Sequence, residues 1–317
     1  MRARAVVLCV ALILAGAGIF MWRTGGANKA AAPARDEKPP AAAAESRQFE
    51  LAIEATFAVT GKTVYVRGLL PMETDRQTIR KEQFSPESLC LRVETGDQSR
   101  VAVWRKSHAR GQQTLVYSCV ATAEARRFDL PPRLARPASV PDEVQPCLRP
   151  SPEIQSDAPQ VRALYEQLVA PEDRDDVVAA VRAAFHYAAD ITRLTGFKKD
   201  TDDALSCLTI GKGACGGKSR LMAALCRTAG VPARTVGGLI LKTGTWQVSH
   251  MWVEAWIDGR WVPFCPTNGH FGAVPATYLT LFYGDWPVFR HTKEMNFLYL
   301  FRAKEVRVGA GTAPSGK

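Results

Sequence analysis

The stretch that decides the fold is SHMWVEAWIDGRWVPFCPTNG, residues 249–269. Apolar and polar residues alternate on both sides of Asp258-Gly259, a dipeptide typical of a two-residue β-hairpin turn. Counting outward from this turn puts four side chains on one face of the hairpin: His250, Trp252, Cys265 and Thr267. Cys265 is then the diagonal cross-strand neighbour of His250 and within its reach. The hairpin therefore predicts a cysteine where an orienting partner for an imidazole belongs.

The segment GKGACGGKSRLMAALCRTAGVPAR, residues 211–234, predicts a helix that begins at Cys215 and ends just before Gly230. A thiol in the first turn of a helix faces free backbone N–H groups and the positive end of the helix dipole. Both lower its pKa, and the N–H groups could hold an oxyanion. Gly216 would let a substrate backbone approach. Cys215 is thus a candidate nucleophile, and a cysteine buried by packing is the structural alternative.

The flanking sequence predicts an α+β architecture. Short alternating runs over residues 47–131 predict an all-β, sandwich-like domain, and a proline-rich connector follows over 132–157. Residues 158–305 predict amphipathic helices followed by an antiparallel sheet. The final segment, 306–317, is predicted to be a flexible tail.

The N-terminus predicts export. Arg2 and Arg4 precede an apolar run that ends at Trp22, so residues 1–23 form a candidate membrane anchor with a cytoplasmic N-terminus. An Ala/Pro-rich linker follows over 24–46. This arrangement predicts a single-pass protein of the inner membrane with a periplasmic body. The alternative is a signal peptide whose cleavage would release the body into the periplasm.

Composition narrows the functional classes. The net charge is +10, but basic residues are dispersed and no nucleic-acid partner is predicted. The eight cysteines include no CxxC pair and no standard metal-ligand spacing, so neither a metal nor a cofactor is expected. Cys90 and Cys119 lie on separate predicted strands and are the candidate pair for a disulfide in an exported protein.

The motif order CRTAGVPAR, SHMWVEAWI and RWVPFCPT, after a cysteine that opens a helix, resembles the transglutaminase-like superfamily. The resemblance covers roughly residues 151–283. It implies a papain-like cysteine-hydrolase fold in which Cys215 is the nucleophile and His250 the general base. Cys265 takes the position of the family's aspartate. The remaining candidate site residues are Trp252 and Gly216 for substrate binding, and Asn268 for substrate binding or for orienting His250.

More narrowly, CLRPSPEIQSDAP, GKSRLMAAL, GGLIL and PFCPTNGHF resemble bacterial membrane proteins described as an inactive transglutaminase fused to seven transmembrane helices. Those proteins often accompany ATP-grasp glutamate-ligase-like proteins, and the resemblance implies a partner of that kind. This sequence departs from the pattern because a short polar tail, rather than a helix bundle, follows Phe301.

The sequence leaves the catalytic status open. A neutral thiol at 265 is a weak acceptor and neither orients nor stabilises an imidazolium as a carboxylate does. One hypothesis is a degenerate Cys-His-Cys site that binds peptide or glutamyl-containing substrates with weak or no catalysis. The alternative is an active thiol acyltransferase or peptidase that works through an acyl-thioester. Redox or metal chemistry at the same three residues is a third hypothesis.

Overall fold

The structure is a computed structural model and describes residues 45–61, 63–86, 90–194, 202–293 and 295–306. The chain divides at residue 42, and the fold below is that of the unit from residue 42 onward. The predicted anchor (1–23), nearly all of the linker and the tail from 307 lie outside the described residues. Within the described ranges, no helix is long and apolar enough to cross a membrane.

The N-terminal part of the second unit is made of strands. In chain order they are β1 (Ser46–Thr60), β2 (Val64–Leu70), β3 (Gln77–Ser85), β4 (Cys90–Thr95), β5 (Arg100–Lys106), β6 (Arg110–Glu124) and β7 (Arg126–Arg127). All except β3 and the two-residue β7 fall on alternating runs that the sequence predicts as strands. β3 was missed because QTIRKEQFS carries few apolar residues, and only its first positions are buried.

The C-terminal part of this unit contains both helices and strands. The elements are a 3-10 helix (Gln145–Leu148), α1 (Pro159–Leu168), a second 3-10 helix (Pro171–Asp173), α2 (Val177–Asp190), β8 (Thr192–Arg193), α3 (Ala204–Ile210), β9 (Lys212–Gly213), α4 (Cys215–Thr228), β10 (Ala233–Ile240), β11 (Gly244–Trp246), β12 (His250–Ile257), β13 (Arg260–Cys265), β14 (His270–Phe271), β15 (Ala273–Val274), β16 (Tyr278–Tyr283), β17 (Phe289–His291) and β18 (Asn296–Val306). The α+β class is confirmed.

The N-terminal strands form a sandwich-like pair of sheets. One sheet has the order β11-β18-β1-β6-β3 and the other β17-β2-β5-β4. Alternate residues of β1 are buried, and they share one apolar core with residues of β2 and β5. Cys119 on β6 is a free cysteine, so the hypothesised Cys90–Cys119 disulfide is absent. The two positions also belong to strands of different sheets.

Strands from the C-terminal end complete both of these sheets. β18 pairs with β1 from Gln48↔Val306 to Ala58↔Asn296, and β17 pairs with β2. The same core also includes residues of β10 and β16, such as Leu239 and Leu281. The boundaries of a separate 47–131 domain stay a prediction.

The central sheet of the C-terminal part has the order β14-β13-β12-β10-β16. One face packs against the helices, and the shared core joins α4 to β12 and β13 through residues such as Leu225, Val253 and Phe264. The predicted hairpin is confirmed because Ile257 pairs with Arg260 at the turn. Trp256 and Trp261 pair across the two strands beside this turn, with ring centroids 5.3 Å apart.

Two of the helices, α2 and α3, begin at an aspartate cap. Asp176 accepts hydrogen bonds from the N–H groups of Val178 and Ala179 and so starts α2. Asp203 caps α3, a short helix that the sequence analysis did not predict because it lacks an amphipathic repeat. α4 begins at Cys215, as predicted, and ends at Thr228.

Candidate active site

The Cys215 thiol lies at the first turn of α4 and against strand β12. The backbone N–H groups of Met251 and Gly216 both hydrogen-bond to its sulfur. The same strand is tied to the helix a turn later, where the Ser219 hydroxyl donates to the Met251 carbonyl at 3.1 Å. Because Met251 directly follows His250, the helix and strand bring the predicted nucleophile and base together.

The expectation of a lowered thiol pKa at Cys215 is wrong. Burial raises the pKa of Cys215, and this effect outweighs the hydrogen bonds from Met251 and Gly216. The Asp202 carboxylate raises it further, because Asp202 accepts the Gly217 N–H at 3.0 Å and so occupies the start of the helix. The positive end of α4 is therefore already neutralised by a carboxylate.

Asp202 is held in place by Arg220, which also pairs with Asp285 at 2.8 Å. These three side chains are largely buried and form a charged cluster next to the start of α4. Gly216 makes room for it, because a side chain at that position would collide with the Asp202 carboxylate. The glycine thus accommodates Asp202, and its predicted contact with a substrate backbone stays a prediction.

His250 and Cys265 are in direct contact, as the hairpin register predicts. The distance from His250 Nε2 to Cys265 Sγ is 3.2 Å, and both side chains are buried. Burial lowers the pKa of His250 to about 4, with smaller contributions from Arg193 and His270. Burial also raises the pKa of Cys265. The pair is therefore a neutral imidazole next to a neutral thiol at pH 7.

Tyr278 is a site residue that the sequence analysis did not find. Its hydroxyl donates to Cys265 Sγ at 3.5 Å and accepts from Asn268 Nδ2 at 2.6 Å. Its ring packs edge-on against His250 at 5.4 Å. The run YLTLFY is typical of a buried strand, but only the pairing of β16 with β10 brings this strand to the site.

Asn268 reaches the site through Tyr278. Its side chain does not bond to His250 among the described hydrogen bonds, whereas its backbone N–H donates to the Cys265 carbonyl at 3.2 Å. Trp252 is 2% exposed, and its ring packs against the rings of both His250 and Tyr278. In this structure it therefore holds the imidazole in place by packing. The roles predicted for both residues in substrate binding stay predictions.

Cations face the site from one side. Arg193 is exposed, and its charge lowers the pKa of His250 and opposes the rise of the Cys215 pKa. Lys218 is more buried and donates to the Ala189 carbonyl at 2.9 Å. Among the described residues, no group of three or more His, Cys, Asp or Glu side chains is placed to hold a metal ion.

A thiol at a helix start, packed against a histidine-bearing strand of an antiparallel sheet, defines the papain-like Cys–His class of protein. Residues 162–266 match the family model described as "Transglutaminase-like superfamily". This match places a transglutaminase-like domain at residues 162–266. Residues 42–174 match a second model, described as "Inactive transglutaminase fused to 7 transmembrane helices".

A solved structure supports this fold. A proposed cysteine protease of Cytophaga hutchinsonii is 19% identical, with 83% of this chain and 92% of that chain covered, at a TM-score of 0.69. The periplasmic domain of TgpA from Pseudomonas aeruginosa is 19% identical, with 68% and 87% covered, but its TM-score of 0.33 is too low to support a conclusion. No curated protein matches the sequence significantly.

Proposed function

We propose that this transglutaminase-like domain binds a peptide or a glutamyl-bearing chain at the Cys215–His250–Cys265 site, with weak or no catalytic turnover. One observation carries the proposal: His250 Nε2 lies 3.2 Å from a buried thiol, Cys265 Sγ, at the position where the family has an aspartate. A thiol that is neutral cannot stabilise an imidazolium, and the site therefore lacks the charge that drives proton transfer.

The protons at this site can be assigned by counting donors. Cys265 Sγ already accepts from the Tyr278 hydroxyl at 3.5 Å, and the nearby backbone N–H groups of Thr267 and Asn268 also lower the pKa of this thiol. The thiol also carries one proton of its own. The S–H group donates this proton in a hydrogen bond to His250 Nε2. His250 then carries its proton on Nδ1, the nitrogen that does not contact Cys265.

This tautomer opposes catalysis. Nε2 is engaged with Cys265, so a proton from Cys215 could be accepted only at Nδ1, which is already protonated. The raised pKa of the Cys215 thiol acts in the same direction, since it keeps the nucleophile protonated at neutral pH. Both observations favour retention of the groove for binding.

The ligand class follows from the domain type and from the charge beside the thiol. Arg193 is exposed near Cys215 and His250 and would attract a carboxylate-bearing chain, such as a glutamyl-rich one. We further propose that the body is periplasmic and anchored by residues 1–23, and that it works with an ATP-grasp-ligase-linked or membrane-protein system. The family description that includes transmembrane helices supports the membrane association.

One specific observation favours the alternative, an active thiol acyltransferase or peptidase. The Met251 and Gly216 N–H groups point at Cys215 Sγ, where they would also stabilise a thiolate. In that case His250 would take the thiol proton, the sulfur would attack a carboxamide or peptide carbonyl, and water or an amine would resolve the thioester.

Alkylation of Cys215 separates the two functions. We expect iodoacetamide to modify Cys215 at pH 6 no faster than it modifies a free thiol, because burial holds the thiol protonated. The Cys215→Ser variant serves as the background for the other cysteines. Faster alkylation than a free thiol, or an acyl adduct on Cys215 that His250→Ala abolishes, would establish the enzyme instead.

A binding measurement completes the test. We expect a fluorescein-labelled γ-glutamyl peptide to bind the full chain, with weaker binding after Arg193→Gln and unchanged binding after Arg302→Gln, an exposed arginine on β18. Equal loss in both variants, or no binding at all, would contradict the proposed ligand class while leaving the alkylation result to decide the catalytic status.

A further inference from the structure

A cleft lies at the other end of α4 from the thiol. It has a volume of about 390 Å³ and is formed by α1, the last turn of α4 and the loops that precede both α1 and α2. Its charged lining residues are Arg162, Arg174, Arg227, Asp157 and Glu166. Thr228 in this cleft lies thirteen positions along the helix from Cys215, which corresponds to about 20 Å. The cleft is therefore distinct from the Cys–His site.

Arg227 is a cation without a carboxylate partner among the described residues. Its Nε donates to the Ala233 carbonyl at 2.9 Å and its Nη1 to the Arg149 carbonyl at 2.5 Å. These bonds fix the guanidinium plane but leave its charge uncompensated. Burial lowers the pKa of Arg227, as expected for a cation that lacks a counter-ion.

Arg174 supplies a second, independent observation. Its Nε is buried and has no hydrogen-bond partner within the described part of the chain. A buried guanidinium N–H without an acceptor is costly, and most such groups in folded proteins are satisfied. An acceptor atom in the cleft would satisfy this donor.

The charge balance limits the kind of ligand. Three arginines and two acids line the cleft, and no ion pair within 4.0 Å joins them among the described residues. The acids disfavour a polyanion, whereas unpaired guanidinium groups suit a single carboxylate or phosphate group, which they can bind in a bidentate manner. The volume is within the range of small-molecule sites.

We propose that this cleft is a second binding site, which holds a small ligand through an oxyanion group, either a carboxylate or a phosphate. Arg227 is the fixed anchor, and Arg174 and Arg162 complete the cationic wall. Asp157 and Glu166 provide carboxylates that can pair with an amino group on the same ligand. The site does not depend on the state of Cys215.

The test uses the full chain in detergent at constant ionic strength. Isothermal titration calorimetry with sodium phosphate, sodium acetate and sodium L-glutamate is compared with sodium chloride. The probe variant is the double substitution Arg162→Gln/Arg174→Gln, which leaves the loop contacts of Arg227 in place. The matched control is Arg110→Gln/Arg302→Gln, which removes the same charge from exposed positions on β6 and β18.

We expect at least one oxyanion to bind the unmodified protein and the control, and to bind the probe variant about tenfold or more weakly. Phosphate binding alone would assign a phosphate ligand, and acetate or glutamate binding alone a carboxylate ligand. Binding of none of the three, or equal binding to the probe variant and the control, would overturn the proposal. An unchanged melting temperature of the probe variant without ligand confirms that it is folded.

Discussion

A carboxylate at position 265 would meet the same donors that now surround the Cys265 sulfur. These are the Tyr278 hydroxyl, which donates to this sulfur, and the N–H groups of Thr267 and Asn268, which lower the pKa of the thiol. A carboxylate has no proton to give, so His250 would have to donate from Nε2 and leave Nδ1 free to accept.

The variant Cys265→Asp is therefore expected to activate Cys215. We expect the rate of its alkylation by iodoacetamide at pH 7 to rise about tenfold or more, because an imidazolium stabilised by a carboxylate lowers a neighbouring thiol pKa. The rate is measured by mass spectrometry of the Cys215 peptide. Cys265→Ser, whose hydroxyl keeps a proton to donate, should behave like the unmodified protein. Equal rates in the Asp and Ser variants would contradict the tautomer assignment.

His250 also links the stability of the protein to pH. Its pKa is about 4 in the folded protein and 6.5 when exposed, so the unfolded chain binds the proton more readily. The contribution to stability is complete above pH 6.5 and is lost as the pH falls toward 4, by about 3 kcal/mol in total.

Urea denaturation between pH 7 and pH 4 measures this loss. His250→Gln should lose less free energy of unfolding over that range than the unmodified protein, because one titrating group has been removed. His291→Gln, a change at an exposed histidine on β17, is the control and should retain the full dependence. Identical slopes for His250→Gln and the unmodified protein would show that His250 is not buried in its neutral form.

At the scale of the elements, a break in the pairing of β10 with β16 positions the site. The register shifts between Gly237 and Gly238, where Phe282 and the Leu279 carbonyl press against the backbone. A Cβ at Gly238 would overlap that carbonyl, and a carbonyl in a sheet cannot turn away as a side chain can. Because β10 and β16 approach each other so closely, Tyr278 on β16 reaches Cys265.

Gly238→Ala should therefore destabilise the protein by about 3 kcal/mol or more, in the range of overpacked cores. Gly96→Ala is the matched control, since a Cβ there meets only an ordinary contact with the Ser99 carbonyl at 3.9 Å. Thermal denaturation followed by circular dichroism measures both. A melting temperature for Gly238→Ala equal to that of the control would show that β10 and β16 can move apart to accommodate the methyl group without a loss of stability.

At the scale of the whole molecule, the two ends of the described chain depend on each other. β18 pairs with β1 along eleven residue pairs and carries Phe301, which is fully buried in the sandwich core. Removal of β18 would expose that core and leave a long unpaired edge on β1.

A chain truncated after Met295 is expected to lose cooperative folding of the sandwich, whereas a chain truncated after Val306 should melt like the full protein. Far-UV circular dichroism and the melting temperature provide the comparison. A fully cooperative melt of the shorter chain at the same temperature would show that the sandwich folds without β18.

Local patterns were sufficient for much of the fold and part of the site. The hairpin from His250 to Cys265 could be predicted because a two-residue turn fixes its register and β-strands alternate with period two. The start of α4 at Cys215 could be predicted because glycines and a helical repeat mark it. Neither pattern says how far the helix start is buried or which carboxylate approaches it, and so the pKa of Cys215 was predicted with the wrong sign.

By itself, the sequence determined the α+β class, the transglutaminase-like core and the contact of His250 with Cys265, since each rests on residues close together along the chain. Only the tertiary structure decided the rest. Asp202 reaches the start of α4, Tyr278 reaches Cys265 and β18 reaches β1 through pairings between distant segments. Burial then sets the protonation of the site, because the cost of a charge depends on the atoms that replace water around it, and these come from the whole fold.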